Sequence, residues 1–243
     1  MSALPAPFQT LQWSLLIAWV LALAVAFVFG QPHANGARRS IQRLQRSTSG
    51  LLVVMAALFW AGGGRNTTFA AYTALVALGM AVSYVADLIM AETIRVPNRV
   101  LGGIGVFGLA HALYISAFLS AGNVVGAALW GRAALPLVGM LAIGLTVWRI
   151  FVRTDGAPSA LNYGSLVYTG LISSMAGIAL SLALLDGRFW PASVGALLFV
   201  VSDIILGNQI FRGNNWRMVG EYVWFTYISG QALIVWSSAS ILA

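Results

Sequence analysis

Six carboxylates are spread over 243 residues, and two of them, Asp87 and Asp203, fall deep inside long apolar runs. An ionisable side chain inside a helix bundle costs at least about 2.5 kcal/mol on insertion scales, so such a group is kept for a partner or for a function. Both aspartates sit in the same local pattern. Gly79-Met-Ala-Val-Ser-Tyr-Val-Ala-Asp87-Leu-Ile-Met and Gly195-Ala-Leu-Leu-Phe-Val-Val-Ser-Asp203-Ile-Ile-Leu each hold a glycine, seven residues and an aspartate, at an offset of 116. On helical spacing Gly79, Ser83 and Asp87 share one face, as do Gly195, Phe199 and Asp203. Twenty-four residues after each aspartate stands a polar ring, His111 in one case and Tyr227 in the other. Two carboxyl groups in a dry site are equipped for acid–base chemistry, one protonated to donate and one ionised to accept. The structural alternative is that they tie helices together through hydrogen bonds.

Other chemistries are excluded by what the chain lacks. There is no lysine, so a retinal Schiff base or a lysine nucleophile is ruled out, and no cysteine, so thiolate catalysis and disulfides are ruled out. His33 and His111 are the two histidines. A three-histidine zinc site cannot be assembled from them, and neither a metal nor a cofactor is expected.

The elements that must position these residues follow from composition. The chain is 60% hydrophobic and 8% charged, against roughly 25% charged for soluble domains. Apolar segments at 11–30, 50–63, 69–91, 101–121, 133–152, 160–184, 189–211 and 219–242 predict an all-α bundle of eight transmembrane helices in a single domain, 1–243. The segment 50–63 is the shortest, short for a bilayer, and fits a span that is tilted little or extended into its flanks. The offset of 116 divides the domain into candidate repeat halves, 1–122 and 123–243, with the same polarity across the membrane. The first apolar run has no charge ahead of it and no cleavage signature after it, which reads as a retained helix.

Orientation follows from the arginines. Loops after spans one, three, five and seven hold Arg38, Arg39, Arg43, Arg46, Arg95, Arg99, Arg149, Arg153, Arg212 and Arg217; the opposite loops hold Arg65, Arg132 and Arg188. Cytoplasmic loops accumulate positive charge, so both termini are expected outside the cytoplasm, in a multi-pass protein of the cell (inner) membrane. The net charge of +7 is read as topology and lipid contact, with no nucleic-acid partner, and Arg38 to Arg46 as a segment suited to an anionic lipid surface. Glu92, Asp155, Asp186 and Glu221 fall at span ends, where water is expected to solvate them.

The rise per residue sets Asp87, Asp203, Tyr168 and Tyr227 about 5–12 Å from the arginine-rich surface, with His111 and Gln231 nearer the middle. His111 and Tyr114 share a face of span four, flanked by Phe107 and Phe118.

These stretches resemble the YhhN lysoplasmalogenase-like family of membrane proteins. The resemblance is carried by Gly79 to Met90 with its aspartate, Gly105 to Tyr114 with His111, Tyr168 to Met175, Gly195 to Ser202 and Asp203, and Tyr227 to Gln231. Ala86-Asp87 replaces the family's usual Gly-Asp, and Ser47-Thr48-Ser49 stands where a Lys-Pro is usual. The resemblance implies hydrolysis of the vinyl ether bond of lysoplasmalogens, or of a related lysophospholipid, to a fatty aldehyde and a glycerophospho-base. Asp87 and Asp203 would then be the acid and base, in either order. His111, Tyr114, Tyr168, Tyr227, Gln231 and Ser202 would orient water and substrate, and Arg95, Arg99 or Arg212 would be available to a phosphate. With spans three and seven packed about a pseudo-two-fold axis, both aspartates would point into one cavity. Two rival readings stay open on sequence: a lipid or small-molecule transporter, for which parallel halves are equally natural, and a lipid-binding protein whose aspartates only hold helices together. Oligomeric state is not legible.

Overall fold

The computed structural model describes residues 6–30, 41–126, 134–156 and 158–242. They form eight helices: α1 Ala6–Val28, α2 Gln42–Gly62, α3 Ala70–Met90, α4 Arg99–Val124, α5 Ala134–Val147, α6 Ser159–Leu185, α7 Trp190–Arg212 and α8 Val219–Leu242. A π-helical turn, Trp148–Val152, prolongs α5, and short 3₁₀ turns, Gly64–Asn66 and Gly187–Phe189, precede α3 and α7. No strand occurs among the described residues. Counting these extensions, all eight segments are long and apolar enough to cross a membrane, and the chain is a multi-pass membrane protein. His33, Arg38, Arg39 and Arg132 lie outside the described residues.

Helix ends follow local chemistry. The Asn98 side chain accepts from the Leu101 N–H at 3.0 Å and starts α4. Pro191 in the first turn of α7 needs no intrahelical donor partner, and Gly213, in the left-handed conformation at φ 67°, stops the same helix. Of the two ways left open for the short second span, α2 takes the extension into its flank. It begins eight residues before the apolar run at Gly50, taking Arg43 and Arg46 into its first turns. Gln45, Thr48 and Ser49 are buried there against the bundle, so this polar stretch is an inward face of a helix and the short apolar segment is only part of a full span.

The helices pack in a regular pattern: α3 on α4, α7 on α8, α1 on α2, α5 on α6, α2 on α3 and α6 on α7, with α2 meeting α8 and α4 meeting α6 across the bundle. Each contact in the first half has its counterpart in the second. Two close approaches match residue for residue. A Cβ at Gly79 would stand 2.6 Å from the Tyr114 ring, and one at Gly195 would stand 2.5 Å from the carbonyl oxygen of Gly230; both members of the second pair lie 116 positions after those of the first. The axis expected between spans three and seven takes another form. α3 packs on α2, α4 and α8, and α7 on α6, α8 and the π-helical turn, so the two aspartate-bearing helices are not principal neighbours.

The arginine asymmetry survives folding. Among the described residues the face formed by the starts of α2, α4, α6 and α8 carries Arg43, Arg46, Arg95, Arg99, Arg149, Arg153, Arg212 and Arg217, against Arg65 and Arg188 on the other. Several of these arginines tie loops. Arg46 Nη1 donates to Thr93 Oγ1 at 2.5 Å, Arg99 pairs with Glu92 at 2.6 Å, and Arg212 Nη2 donates to the Arg153 carbonyl at 2.8 Å. On the opposite face Arg188 pairs with Asp186 at 2.7 Å and holds that carboxyl below its usual range. Glu221 departs from the expectation of a solvated end charge: it is 3% exposed, because the first turn of α8 is packed inside the bundle.

Candidate active site

A largely apolar cleft lies among α4, α5, α6 and α7. Its walls include Phe107 of α4, Met140 and Ile143 of α5, Ile172 of α6 and Val200 of α7, and it is closed on one side by Trp148 and Val152 of the π-helical turn. Five residues in one π-type turn set these two side chains on the lining, where the Trp148 indole N–H donates to Ser165 Oγ at 3.0 Å. Gly207 lets α7 lie against the turn, since a Cβ there would come within 3.0 Å of Val152.

Asp203 is the one carboxyl on the cleft lining, and Tyr168 lines it too. The Tyr168 hydroxyl donates to Asp203 Oδ2 and lies 3.0 Å from His111 Nε2. The His111 ring is fully buried, packed 5.1 Å from the Tyr168 ring and 4.8 Å from Phe199. These three polar residues come from α7, α6 and α4, and none is adjacent to another in sequence.

Asp87 belongs to a second cluster. Its Oδ2 accepts from the Tyr227 hydroxyl at 3.0 Å, and the Ser49 hydroxyl of α2 lies beside the same carboxyl. Gln231 Nε2 reaches the Tyr227 hydroxyl at 3.4 Å, and the Gln231 carbonyl accepts from Tyr114 at 2.7 Å. Asp87 is not on the cleft lining. Aromatic rings separate the clusters: Phe199 packs 5.0 Å from Tyr227 and 4.8 Å from His111, and Phe107 lies 5.8 Å from Tyr227 and 6.0 Å from Phe199.

The expectation of one cavity shared by both aspartates is therefore corrected. Helical spacing put Asp87 and Asp203 on equivalent faces, but α3 and α7 turn those faces toward different neighbours. His111 and Tyr114, three apart on α4, diverge in the same way, one to the Asp203 cluster and one to the Asp87 cluster. Ser202 does neither; its hydroxyl donates to the Val223 carbonyl at 2.9 Å and ties α7 to α8. Of the arginines considered for a phosphate, Arg99 is paired with Glu92, while Arg212 follows Phe211, which lines the cleft on the arginine-rich side. Ser49 was not among the expected site residues. The signal was the polar pair Thr48-Ser49 at the edge of the apolar run that begins at Gly50. Among the described residues no group of three or more His, Asp or Glu side chains is arranged to hold a metal ion.

Comparison with known proteins adds one finding to this geometry. The model of the YhhN family matches residues 44–238, most of the chain from α2 to the last turns of α8. No curated protein and no solved structure matches. The chain belongs to the YhhN family.

Proposed function

We propose that this member of the YhhN family is an intramembrane hydrolase that cleaves the vinyl ether bond of a lysoplasmalogen or a related single-chain ether lysolipid. The observation that carries the reading is Asp203, the one carboxyl on an apolar cleft within the membrane span, with Oδ2 held by Tyr168 and Oδ1 unoccupied among the described hydrogen bonds. An apolar cleft with a few polar groups at one level suits a hydrocarbon chain that carries one reactive bond.

The chemistry needs one proton donor and one base. The Asp203 carboxyl gives its proton to the alkene carbon remote from oxygen; the π pair forms the new C–H bond, and an ether-oxygen lone pair makes the adjacent carbon an oxocarbenium. Water adds to that carbon and surrenders a proton to the carboxylate, which returns to its starting state. The hemiacetal then collapses, its C–O bond to glycerol breaking as the hydroxyl proton passes to the leaving oxygen, and the aldehyde is released. A carboxyl that serves as acid and then as base has precedent in glycoside hydrolysis. In this reading Asp87, the other member of the pair expected from sequence, supports the site from behind, by fixing Tyr227 against Phe199 and Phe107. The arginine-rich face is taken as cytoplasmic, so the cleft receives lipid from that side and Arg212 is available to a headgroup phosphate.

The test is aldehyde release from lysoplasmenyl-ethanolamine by the purified chain in detergent, with the saturated alkyl-ether analogue as control. Cleavage of the vinyl ether and not of the alkyl ether is expected. Inactivity on vinyl ether lysolipids of either ethanolamine or choline headgroup would overturn the reading. A reporter fused at Ala243 is expected to behave as external, and a cytoplasmic signal would reverse the orientation.

A further inference from the structure

The position of a proton on Asp203 is set by its neighbours. His111 Nδ1 is buried with no hydrogen-bond partner, a situation tolerated better by a lone pair than by an N–H, so the ring proton is on Nε2, 3.0 Å from the Tyr168 oxygen. That oxygen accepts from Nε2, and the one hydroxyl hydrogen of Tyr168 goes to Asp203 Oδ2. Packing against Tyr168 and Phe199 fixes the ring plane and with it the direction of the Nε2–H bond.

The geometry points to His111 as a positioning residue which, acting through Tyr168, commits Asp203 Oδ2 to accepting a hydrogen bond and so presents the transferable proton on Oδ1, toward the cleft. This rests on the reading of Asp203 as the acid. Without the histidine donor, the Tyr168 oxygen is free to accept from Asp203 itself. The carboxyl proton then moves to Oδ2, facing tyrosine, where it cannot reach substrate. The second cluster has the same wiring with a different donor: Gln231 Nε2 donates to the Tyr227 oxygen, and Tyr227 donates to Asp87 Oδ2. An amide thus occupies in one cluster the place that the imidazole occupies in the other, which identifies glutamine as the conservative replacement.

The experiment compares His111→Leu, His111→Gln and Tyr168→Phe, each purified as the full chain and checked for an unchanged thermal unfolding midpoint. His111→Leu is expected to lower kcat about tenfold with KM within about twofold, as a defect in proton delivery should. His111→Gln should recover to within about threefold of the parent. In the Tyr168→Phe background, His111→Leu should cost nothing more, because the histidine acts through that hydroxyl. Additive losses, or a glutamine variant no better than leucine, would overturn the assignment. An infrared arm needs no substrate and separates this inference from the proposed reaction: the carboxyl band that disappears in Asp203→Asn should shift in His111→Leu and stay in place in His111→Gln. An unshifted band overturns the positioning role even if the vinyl ether reading holds, and a shifted band sustains it even if that reading fails.

Discussion

Asp87 and Asp203 occupy positions 116 apart in matching segments, each accepts a hydrogen bond from a tyrosine, and each lies on a helix packed against its successor, yet of the two only Asp203 is on the lining of the apolar cleft. The difference lies in what stands opposite. Ile143 lines the cleft beside Asp203. Its counterpart 116 positions earlier is Phe27 of α1, whose ring packs 5.4 Å from Trp224 and 6.2 Å from Phe225 of α8, and about four turns earlier on α1 Trp13 meets Trp236 at 5.7 Å. α1 thus meets α8 through large rings, whereas α5 presents aliphatic residues and glycine to the corresponding space. Similar backbones with similar polar pairs give one cluster on the cleft and one away from it. Side-chain volume on the outer helix, more than the carboxyl itself, separates the two.

The sharpest test of this contrast is Asp203→Asn, which keeps the size of the side chain and removes proton transfer. Aldehyde release should fall by roughly 10²-fold or more, with thermal unfolding close to the parent. Near-normal turnover in the folded variant would reduce Asp203 to a helix tie and move the chemistry elsewhere. Next in size is Ile143→Phe, which gives the cleft the ring that its counterpart already has. We expect kcat/KM to drop about tenfold, mainly through KM, because a ring in an apolar cleft excludes chain length before it disturbs the carboxyl. A pure kcat effect, measured over a series of chain lengths, would argue that the chain lies elsewhere.

Asp87→Asn should cost less, about threefold, since an asparagine oxygen still accepts from Tyr227 and the site is touched only through Phe199 and Phe107. If it matches Asp203→Asn, and the double variant loses little more than either alone, the two carboxyls act as one unit and the contrast drawn above is wrong. The smallest catalytic effect belongs to Phe27→Ala. It should leave turnover within about twofold while lowering stability by about 1–3 kcal/mol in thermal or denaturant unfolding, the usual consequence of emptying a partly buried aromatic site.

Much of this was legible in the chain. Eight spans can be read because lipid-facing and core-facing residues are alike apolar, so a bilayer helix announces itself by length alone. α2 was cut short because Arg43, Gln45 and Arg46 interrupt the apolar count, although Gln45 packs inward. The site residues Asp87, Asp203, His111, Tyr168, Tyr227 and Gln231 were recognisable as polar groups in apolar surroundings. Their division into two clusters was not. Spacing fixes which residues share a face of one helix, and the rotation of that helix against its neighbours depends on contacts such as those at Gly79 and Gly195, whose partners lie far along the chain. Glu221 illustrates the same limit: position near a helix end suggests water, but the packing of the first turn of α8 decides.

The π-helical turn at the end of α5 bears on how such a cleft changes over time. A π turn amounts to one residue inserted into an α-helix, absorbed in a turn wider than the α turns before it. Deletion of a single codon between Trp148 and Val152 would close that turn to an α turn and reseat the side chains that it sets on the cleft lining. The eight crossings and the interfaces of α3, α4, α7 and α8 would stay as they are. Substrate range in this architecture is thus within reach of one insertion or deletion at a helix end, a step far smaller than the rebuilding of a core.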